Sequence, residues 1–415
     1  MAVKSKSKRK GFSPFSLDAV NFLAADVRGA VGPYLNVFLV TQQHWSQSEV
    51  GLVTTVGGLL GLAVQTPIGA AIDETHAKRG IVVLALAVLS ITAVIIFAWP
   101  VFWPVVIANS LMSIAGDVFG PGVAALTLGL FARKQLALRM GRNSAFDHAG
   151  NVAIALVAGA VGYVFSQRAV FLLVPFFAIL TAIAVLSIPA KAIDYDRARD
   201  FDHEPGAAKS STGVAGYGIL FKSRPLVIFG LCIMLFHFAN APLLPLVGQK
   251  LAAAYPKEAT AMMSSCIIAA QAIMLPIALL VGRTADTWGR KPLVLAGFAI
   301  LPIRAAFYTL SDNSAWLIGV QLLDGVGAGI FGALMPLVVA DIMRGTGRYN
   351  LALGAIATMV GIGASLSGLA AGEIVDHFGY SAAFLALGAA ATVALIVFAI
   401  GMPETADREK VSPQT

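Results

Sequence analysis

Charged side chains are scarce in this chain of 415 residues, at 12%, whereas soluble domains carry about 25%. Hydrophobic residues reach 58% of the sequence. A soluble fold of this length does not need that much apolar surface, so most of the chain is expected to lie in a lipid bilayer. Basic residues give a net charge of +7, but their placement, described below, indicates a membrane surface and argues against a nucleic-acid partner.

Cysteine is nearly absent as well, and the sequence lacks several common motifs for metal, cofactor and nucleotide binding. Cys232 and Cys266 both lie in apolar segments, which argues against a disulfide framework, a zinc cluster or a haem motif. No Walker loop is present, so ATP is not expected as the energy source. Gly327 to Gly332 matches the dinucleotide fingerprint, but no strand precedes it, and helix packing explains it better. We expect no cofactor, no metal and no enzymatic activity.

Apolar segments long enough to cross a bilayer recur along the chain. A spanning helix needs about 20 mainly apolar residues. Reading the sequence with that window predicts an all-α integral membrane fold with twelve spans, numbered 1 to 12, near 17–40, 48–72, 80–99, 103–131, 143–166, 169–188, 225–249, 260–282, 292–310, 314–343, 349–375 and 380–402.

Basic residues predict how these spans are oriented. If both termini lie inside, 24 of the 29 Lys and Arg residues fall in cytoplasmic stretches, and Arg168, Lys250 and Lys257 remain outside. Cytoplasmic loops carry the excess of Lys and Arg. We therefore expect cytoplasmic termini in the inner membrane, with five parts: a basic tail 1–16, a six-helix bundle 17–188, a polar linker 189–224, a second bundle 225–402 and a tail 403–415.

An internal repeat relates the two predicted bundles. Gly69 and Asp73 after span 2 superpose on Gly282 and Asp286 after span 8 with a shift of 213 residues. Gly32-Pro33 and Ala241-Pro242 correspond with a shift of 209. Similar shifts at several pairs of spans predict two six-helix bundles related by an axis along the membrane normal.

Twelve spans, a charged central loop and two Gly-x-x-x-Asp loops resemble the major facilitator superfamily of secondary transporters. The second loop is close to the family pattern, whereas the first has Glu74 where a basic residue is usual, and Met112 occupies the place of the family's arginine in span 4. The resemblance implies that spans 1, 4, 7 and 10 line a cavity and that both loops act in gating. The gating residues are Gly69, Asp73, Gly282, Asp286, Gly289, Arg290 and Lys291.

Ionisable residues inside a bilayer are costly and are therefore candidates for function. Arg28 in span 1 and Asp117 in span 4 fall at similar depths, so these two side chains are candidates for a functional pair. Asp26 points to a different face of its helix from Arg28 and is expected to pack against a neighbouring helix. The alternative for Asp117 is a packing stripe with Gly116 and Gly120.

Further candidates lie in spans 5 and 7. His148 and Asn151 share one face of span 5, where Asp147 could instead cap the helix or pair with Arg142 near the membrane surface. His237 and Asn240 share a face of span 7. A lone buried histidine is commonly a hydrogen-bonded core residue, but the repeat places His237 opposite Arg28.

In span 10, Gln321 and Asp324 share one face, and Arg304 lies at a similar depth in the adjacent span 9. We list Gln321 and Asp324 as candidates for substrate binding or coupling. The favoured interpretation of Arg304 and Asp324 is a buried structural salt bridge.

These features predict a transporter that moves a small organic solute by alternating access. Titratable residues in the spans favour coupling to protons, and a mainly apolar cavity favours export of an amphiphilic metabolite or drug-like compound. The alternative is proton-coupled uptake of an organic anion or metal chelate, which would require Arg28 and His237 to bind the substrate. A membrane sensor or membrane enzyme is a distant third interpretation.

Overall fold

The structure is a computed structural model that describes residues 13–25, 27, 31–131, 133–195, 218–346 and 348–406. Within these ranges the regular elements are helices, and no strand occurs. A bilayer core favours this outcome, because a helix satisfies its own backbone hydrogen bonds. The predicted all-α membrane fold is confirmed. Asp26 and Arg28 lie outside the described residues.

Eight α-helices lie in the described residues before the central linker. They are α1 (Pro14–Ala24), α2 (Val31–Thr41), α3 (Gln47–Glu74), α4 (Lys78–Ala98), α5 (Phe102–Gly116), α6 (Phe119–Leu130), α7 (Arg133–Val164) and α8 (Leu173–Leu186).

Eight further α-helices lie in the residues described after that linker. They are α9 (Ile219–Lys222), α10 (Arg224–Asn240), α11 (Leu243–Ala254), α12 (Ala259–Trp288), α13 (Arg290–Phe307), α14 (Ser314–Val320), α15 (Leu322–Ile342) and α16 (Tyr349–Gly401). Gly379 interrupts α16 with a φ of 82°, a conformation that glycine adopts without a steric penalty.

Nine helical stretches in the described residues are long and apolar enough to cross a membrane. The predicted span 1 is represented by α1 and α2, each of only 11 residues. The predicted span 9 corresponds to α13, whose first turn carries Arg290 and Lys291. One stretch, Leu351–Gly401, contains the last two predicted spans. The nine stretches are thus consistent with twelve spans.

The chain divides into two compact units. Unit 1 comprises residues 1–31, 63–154 and 169–208, and unit 2 comprises 32–62, 155–168 and 209–415. Segments 32–62 and 155–168 therefore group with the C-terminal helices, although the sequence assigns them to the first bundle. The proposed boundaries at 188 and 225 stay a prediction.

Several hydroxyl side chains within the apolar helices are satisfied by their own helix. Thr127 donates to the Val123 carbonyl at 2.7 Å, and Ser265 donates to the Ala261 carbonyl at 2.8 Å. This i to i−4 bond removes the cost of an unpaired hydroxyl in an apolar environment.

An aromatic cluster fills the core of unit 2. The rings of Phe236, Phe298 and Phe331 lie with centroids 4.2 to 5.3 Å apart. These separations are typical of favourable aromatic pairs. The cluster joins α10, α13 and α15, so it fixes the three helices that carry the candidate site.

Candidate functional site

Arg304 on α13 is a charged residue in the core of unit 2, with 1% of its surface exposed. Its Nη1 donates to Asp324 Oδ1 at 2.6 Å and to Asn240 Oδ1 at 2.7 Å. Its Nη2 donates to Gln321 Oε1 at 3.0 Å. The geometry thus pairs the buried charge and also hydrogen-bonds it, which is the condition for burying an ion without a large penalty.

Tyr308 and Gln321 complete this arrangement. Arg304 Nε lies 3.1 Å from the Tyr308 hydroxyl, and that hydroxyl donates to Gln321 Oε1. Gln321 Nε2 donates to Asp324 Oδ2 at 3.1 Å. Both carboxylate oxygens of Asp324 therefore accept a hydrogen bond. We call the set Arg304, Tyr308, Asn240, Gln321 and Asp324 the Arg304 network.

Local helix geometry brings the network together. Arg304 lies in the last turn of α13, and Tyr308 is the residue that follows this helix. Because they are four residues apart, their side chains lie on the same helix face. Gln321 lies at the junction between α14 and α15, and Asp324 lies in the first turn of α15. A helix N-terminus carries partial positive charge, which favours a carboxylate there.

A cavity of about 280 Å³ borders the network. Its wall includes His237 and Asn240 together with apolar side chains of α10, α13, α15 and α16, among them Ile300, Phe331 and Val360. Asp324 is 19% exposed, whereas Arg304 is 1% exposed. Asp324 therefore presents a partly exposed carboxylate to the cavity, whereas its guanidinium partner is almost fully buried.

Several residues predicted from the sequence meet at this cavity. His237, Asn240, Asp324 and Arg304 line it, and Gln321 is fully buried behind Asp324. The predicted contact between Arg304 and Asp324 is present in the structure. Its structural role stays a prediction.

The other predicted candidates lie in unit 1. Asp117 directly follows α5 and is partly buried, and its expected partner Arg28 lies outside the described residues. His148 and Asn151 lie in α7 and are partly buried. Their roles stay predictions.

The second loop motif is built around Arg290. Gly289 has a φ of 91° and separates α12 from α13. Arg290 Nη1 lies 2.8 Å from Asp286 Oδ1, and its Nε lies 3.1 Å from Asp341 Oδ2. Asp286 is 80% exposed and Asp341 only 10%, so Asp341 is the more buried of the two partners.

Glu404, beyond α16, caps the start of α13. Its Oε1 accepts the Arg290 backbone N–H at 2.9 Å. Burial alone raises the pKa of Glu404, but backbone N–H donors outweigh this and lower the pKa below its ordinary value. Those donors belong to Ala406, Arg290, Lys291 and Thr405.

The first loop motif uses backbone carbonyls. Lys78 Nζ donates to the Ile72 carbonyl at 2.9 Å, and Arg79 Nη1 donates to the Ile188 carbonyl at 2.6 Å. Cations at helix C-termini are favourable, because the last carbonyl groups carry partial negative charge. Gly69 lies in the last part of α3, and the Asp73 side chain lies outside the described part of the structure.

Sequence reasoning missed a buried ion cluster in unit 1. Asp18 is fully buried and lies 2.7 Å from Arg139 and 2.5 Å from Arg142. The spacing of the two arginines, three residues apart on α7, was the available signal, since it places both on one helix face. Tyr308, Asp341 and Glu404 were also missed.

Comparison with known proteins agrees with this architecture. The profile of the Major Facilitator Superfamily matches residues 17–278 and 257–415. An uncharacterized MFS-type transporter of Mycobacterium tuberculosis is 48% identical over 394 residues, covering 95% of this chain and 94% of that protein. The tetracenomycin C resistance and export protein of Streptomyces glaucescens is 30% identical over 122 residues, covering 28% of this chain and 22% of that protein.

A solved structure of a mutant of the nucleoside transporter NupG has the same fold. Its TM-score is 0.75 at 15% identity, and the match covers 94% of this chain and 100% of that one. At this identity the likeness concerns the fold alone. The profile match and the long mycobacterial alignment decide the family. This chain belongs to the Major Facilitator Superfamily of transporters.

Proposed function

We propose that this transporter exports a small, mainly apolar organic solute across the inner membrane, by alternating access and in exchange for protons. The observation that carries the proposal is the cavity beside the Arg304 network, where one partly exposed carboxylate faces apolar walls. The exporter from S. glaucescens supports the direction of transport, over a limited stretch of sequence.

The size and lining of the cavity support the substrate class. The cavity volume of about 280 Å³ lies just below the range of ligand pockets, which is roughly 300–1,000 Å³. Ile300, Phe331 and Val360 favour an apolar body, and Asn240 and His237 offer hydrogen-bonding groups. A compact amphiphile fits this combination.

Asp324 is the proposed proton carrier. It is a titratable group at the cavity wall, held by Arg304 on one oxygen and by Gln321 on the other. A proton on Asp324 would remove the charge that faces Arg304 and weaken this contact. Protonation would thereby alter the packing of α13 against α15. Arg304 is proposed as a positioning residue, because its three guanidinium nitrogens are engaged within the protein.

The same geometry disfavours uptake of an organic anion. An anionic solute needs a cation that is free to bind it, and Arg304 is already paired with Asp324. A second negative charge beside Asp324 would add repulsion in a poorly solvated place. Arg28, the other cation this alternative requires, lies outside the described residues.

The proposed orientation places both termini and the 189–224 linker in the cytoplasm. An introduced cysteine at Ser46 or Asn313 should react with an impermeant thiol reagent in intact cells. A cysteine at Ser210 should not react until the membrane is opened. Labelling at Ser210 in intact cells would refute the orientation. The native Cys232 and Cys266 are buried, so their background labelling should be low.

Transport by the purified chain in proteoliposomes tests the function. A panel of neutral, cationic and anionic solutes of similar size would be compared with and without an imposed pH gradient. We expect gradient-driven movement of neutral or weakly basic amphiphiles, opposite in direction to the protons. Accumulation of anions in the direction of the proton flow would support the uptake alternative and contradict the proposal.

A further inference from the structure

A second cavity, of about 300 Å³, lies in unit 2 and contains no residue of the Arg304 network. Its wall includes Pro33 on α2, Val50 on α3, and Pro242 and Leu244 at the start of α11. The repeated pairs Gly32-Pro33 and Ala241-Pro242 both line it. We call this cavity the outer chamber, because the proposed orientation places it in the outer half of the membrane.

Two buried amide side chains face the outer chamber. Asn36 is 7% exposed and Gln249 is 1% exposed, and both line the cavity. Within the described residues, Asn36 Oδ1 and Gln249 Oε1 have no hydrogen-bond donor. Buried polar atoms are nearly always paired, so two unpaired acceptors at one cavity indicate a missing donor.

The chamber wall also indicates which donor fits. Among the described residues that line it, none is Asp, Glu, Lys, Arg or His. A charged ligand would be buried there without a counterion, which is strongly unfavourable. A neutral molecule with a hydroxyl or N–H group would instead satisfy the amide oxygens and leave its apolar part against Pro33, Val50 and Leu244.

Hydrogen bonds join two helices beside the outer chamber. Gln47, which lines the cavity, donates its backbone N–H to Asp376 Oδ1 at 3.0 Å. The Ser48 N–H donates to Asp376 Oδ2 at 2.8 Å. Gly372 permits this approach, because a Cβ there would lie 2.3 Å from the Gln47 carbonyl oxygen. The start of α3 is thus fastened to α16 beside the cavity.

We propose that the outer chamber is a second solute site, which binds neutral hydrogen-bond donors through Asn36 and Gln249. Asp376 fastens α3 to α16 beside this site. This inference rests on the proposed export function and adds a site on the exit side of the Arg304 network. The two cavities would then differ in selectivity. The outer chamber would bind neutral hydrogen-bond donors, whereas the cavity beside the Arg304 network would hold a solute next to a carboxylate.

Photolabelling tests the inference on the intact chain. The probe is a trifluoromethyl-diazirinyl benzyl alcohol, and its methyl ether serves as the matched compound without a donor. We expect the alcohol to label peptides covering residues 32–54, 241–249 and 364–372 on the order of fivefold more than the ether, the factor of one net hydrogen bond. Equal labelling by both compounds would overturn the proposal.

Variants give a second test. The double variant Asn36→Leu with Gln249→Met should reduce labelling by the alcohol to the level of the ether. Ser265→Ala is the control, because the Ser265 hydroxyl donates to the Ala261 carbonyl of its own helix and Ser265 is not among the described residues that line the chamber. Undiminished labelling in a folded double variant would also overturn the proposal. If the double variant does not fold, the comparison of alcohol with ether on the unaltered chain decides.

The second solute site and the proposed function can be tested separately. Asp324→Asn should lose proton-driven transport and keep labelling of the outer chamber. Transport without labelling of the chamber would reject the second site alone. Labelling of the chamber by a chain that shows no proton-driven transport would reject the proposed function alone.

Discussion

Two buried glutamines of unit 2 differ in their hydrogen bonding. Gln321 is fully buried, and its amide bonds Arg304, Tyr308 and Asp324. Gln249 is 1% exposed, and its Oε1 has no donor within the described residues. Two glutamines of similar burial thus differ in their hydrogen bonds. Gln321 stabilises its site, whereas the Gln249 side-chain oxygen lacks a donor among the described residues. Burial therefore does not reveal a polar residue's role, whereas its hydrogen bonds do.

The two cavities differ in the same way. The cavity beside Asp324 has a charged wall whose groups satisfy each other, so a solute there need not supply a hydrogen bond. The outer chamber has a neutral wall with two unpaired acceptors, so a solute there supplies what is missing. Substitutions at Arg304, Gln321 and Gln249 test this difference, and the largest expected effect comes first.

Removing the Arg304 charge should have the largest effect. Arg304→Met leaves the Asp324 carboxylate unpaired, and breaking a buried ion pair in this way typically costs about 3–5 kcal/mol. The double variant Arg304→Met with Asp324→Leu removes both charges and should recover most of that stability. Thermal unfolding in detergent measures both. A double variant less stable than Arg304→Met would show that the pair does not account for the loss.

Methionine at the two glutamines should change stability differently. Gln321→Met leaves donors of Arg304 and Tyr308 without their acceptor and should destabilise by about 1–3 kcal/mol. Gln249→Met removes an unpaired acceptor and should be neutral or stabilising. Comparing the two unfolding midpoints checks this prediction. Equal destabilisation by both substitutions would remove the distinction between the cavities.

A smaller effect is expected at Glu404, where water reaches the charge. Its pKa is lower in the folded chain than in the unfolded one, so ionised Glu404 stabilises the fold above the ordinary carboxyl pKa of about 4.3. Glu404→Gln should therefore be less stable near neutral pH.

That difference in stability should shrink as the pH falls below the ordinary carboxyl pKa and through the lowered pKa of Glu404. Glu258→Gln provides a matched control, since its side chain makes no cap hydrogen bond to α12. A difference between wild type and Glu404→Gln that does not change with pH would contradict a role for the ionised carboxylate.

The contact between Arg304 and Asp324 could be predicted from the sequence, because the two charges lie at similar depths in consecutive spans. The complete network could not, since Asn240 comes from a helix 64 residues earlier. Tyr308 was within reach of prediction, because it follows Arg304 by four residues on one helix.

The polar residues of the outer chamber could not be predicted from the sequence. Asn36 and Gln249 carry no charge, so a search for ionisable groups in the membrane passes over them. Their importance depends on which atoms surround them, and that is set by packing between distant segments. The all-helical membrane fold was predictable because bilayer thickness fixes the length of a spanning helix.

Proton coupling at Asp324 is the central claim, and one comparison in proteoliposomes tests it most directly. Exchange of a labelled substrate, with no gradient, would be measured beside transport driven by a pH gradient, for wild type and Asp324→Asn. We predict that Asp324→Asn keeps exchange, because asparagine preserves the shape of the site, and loses the response to the gradient. Gradient-driven transport at the wild-type rate in Asp324→Asn would contradict the account.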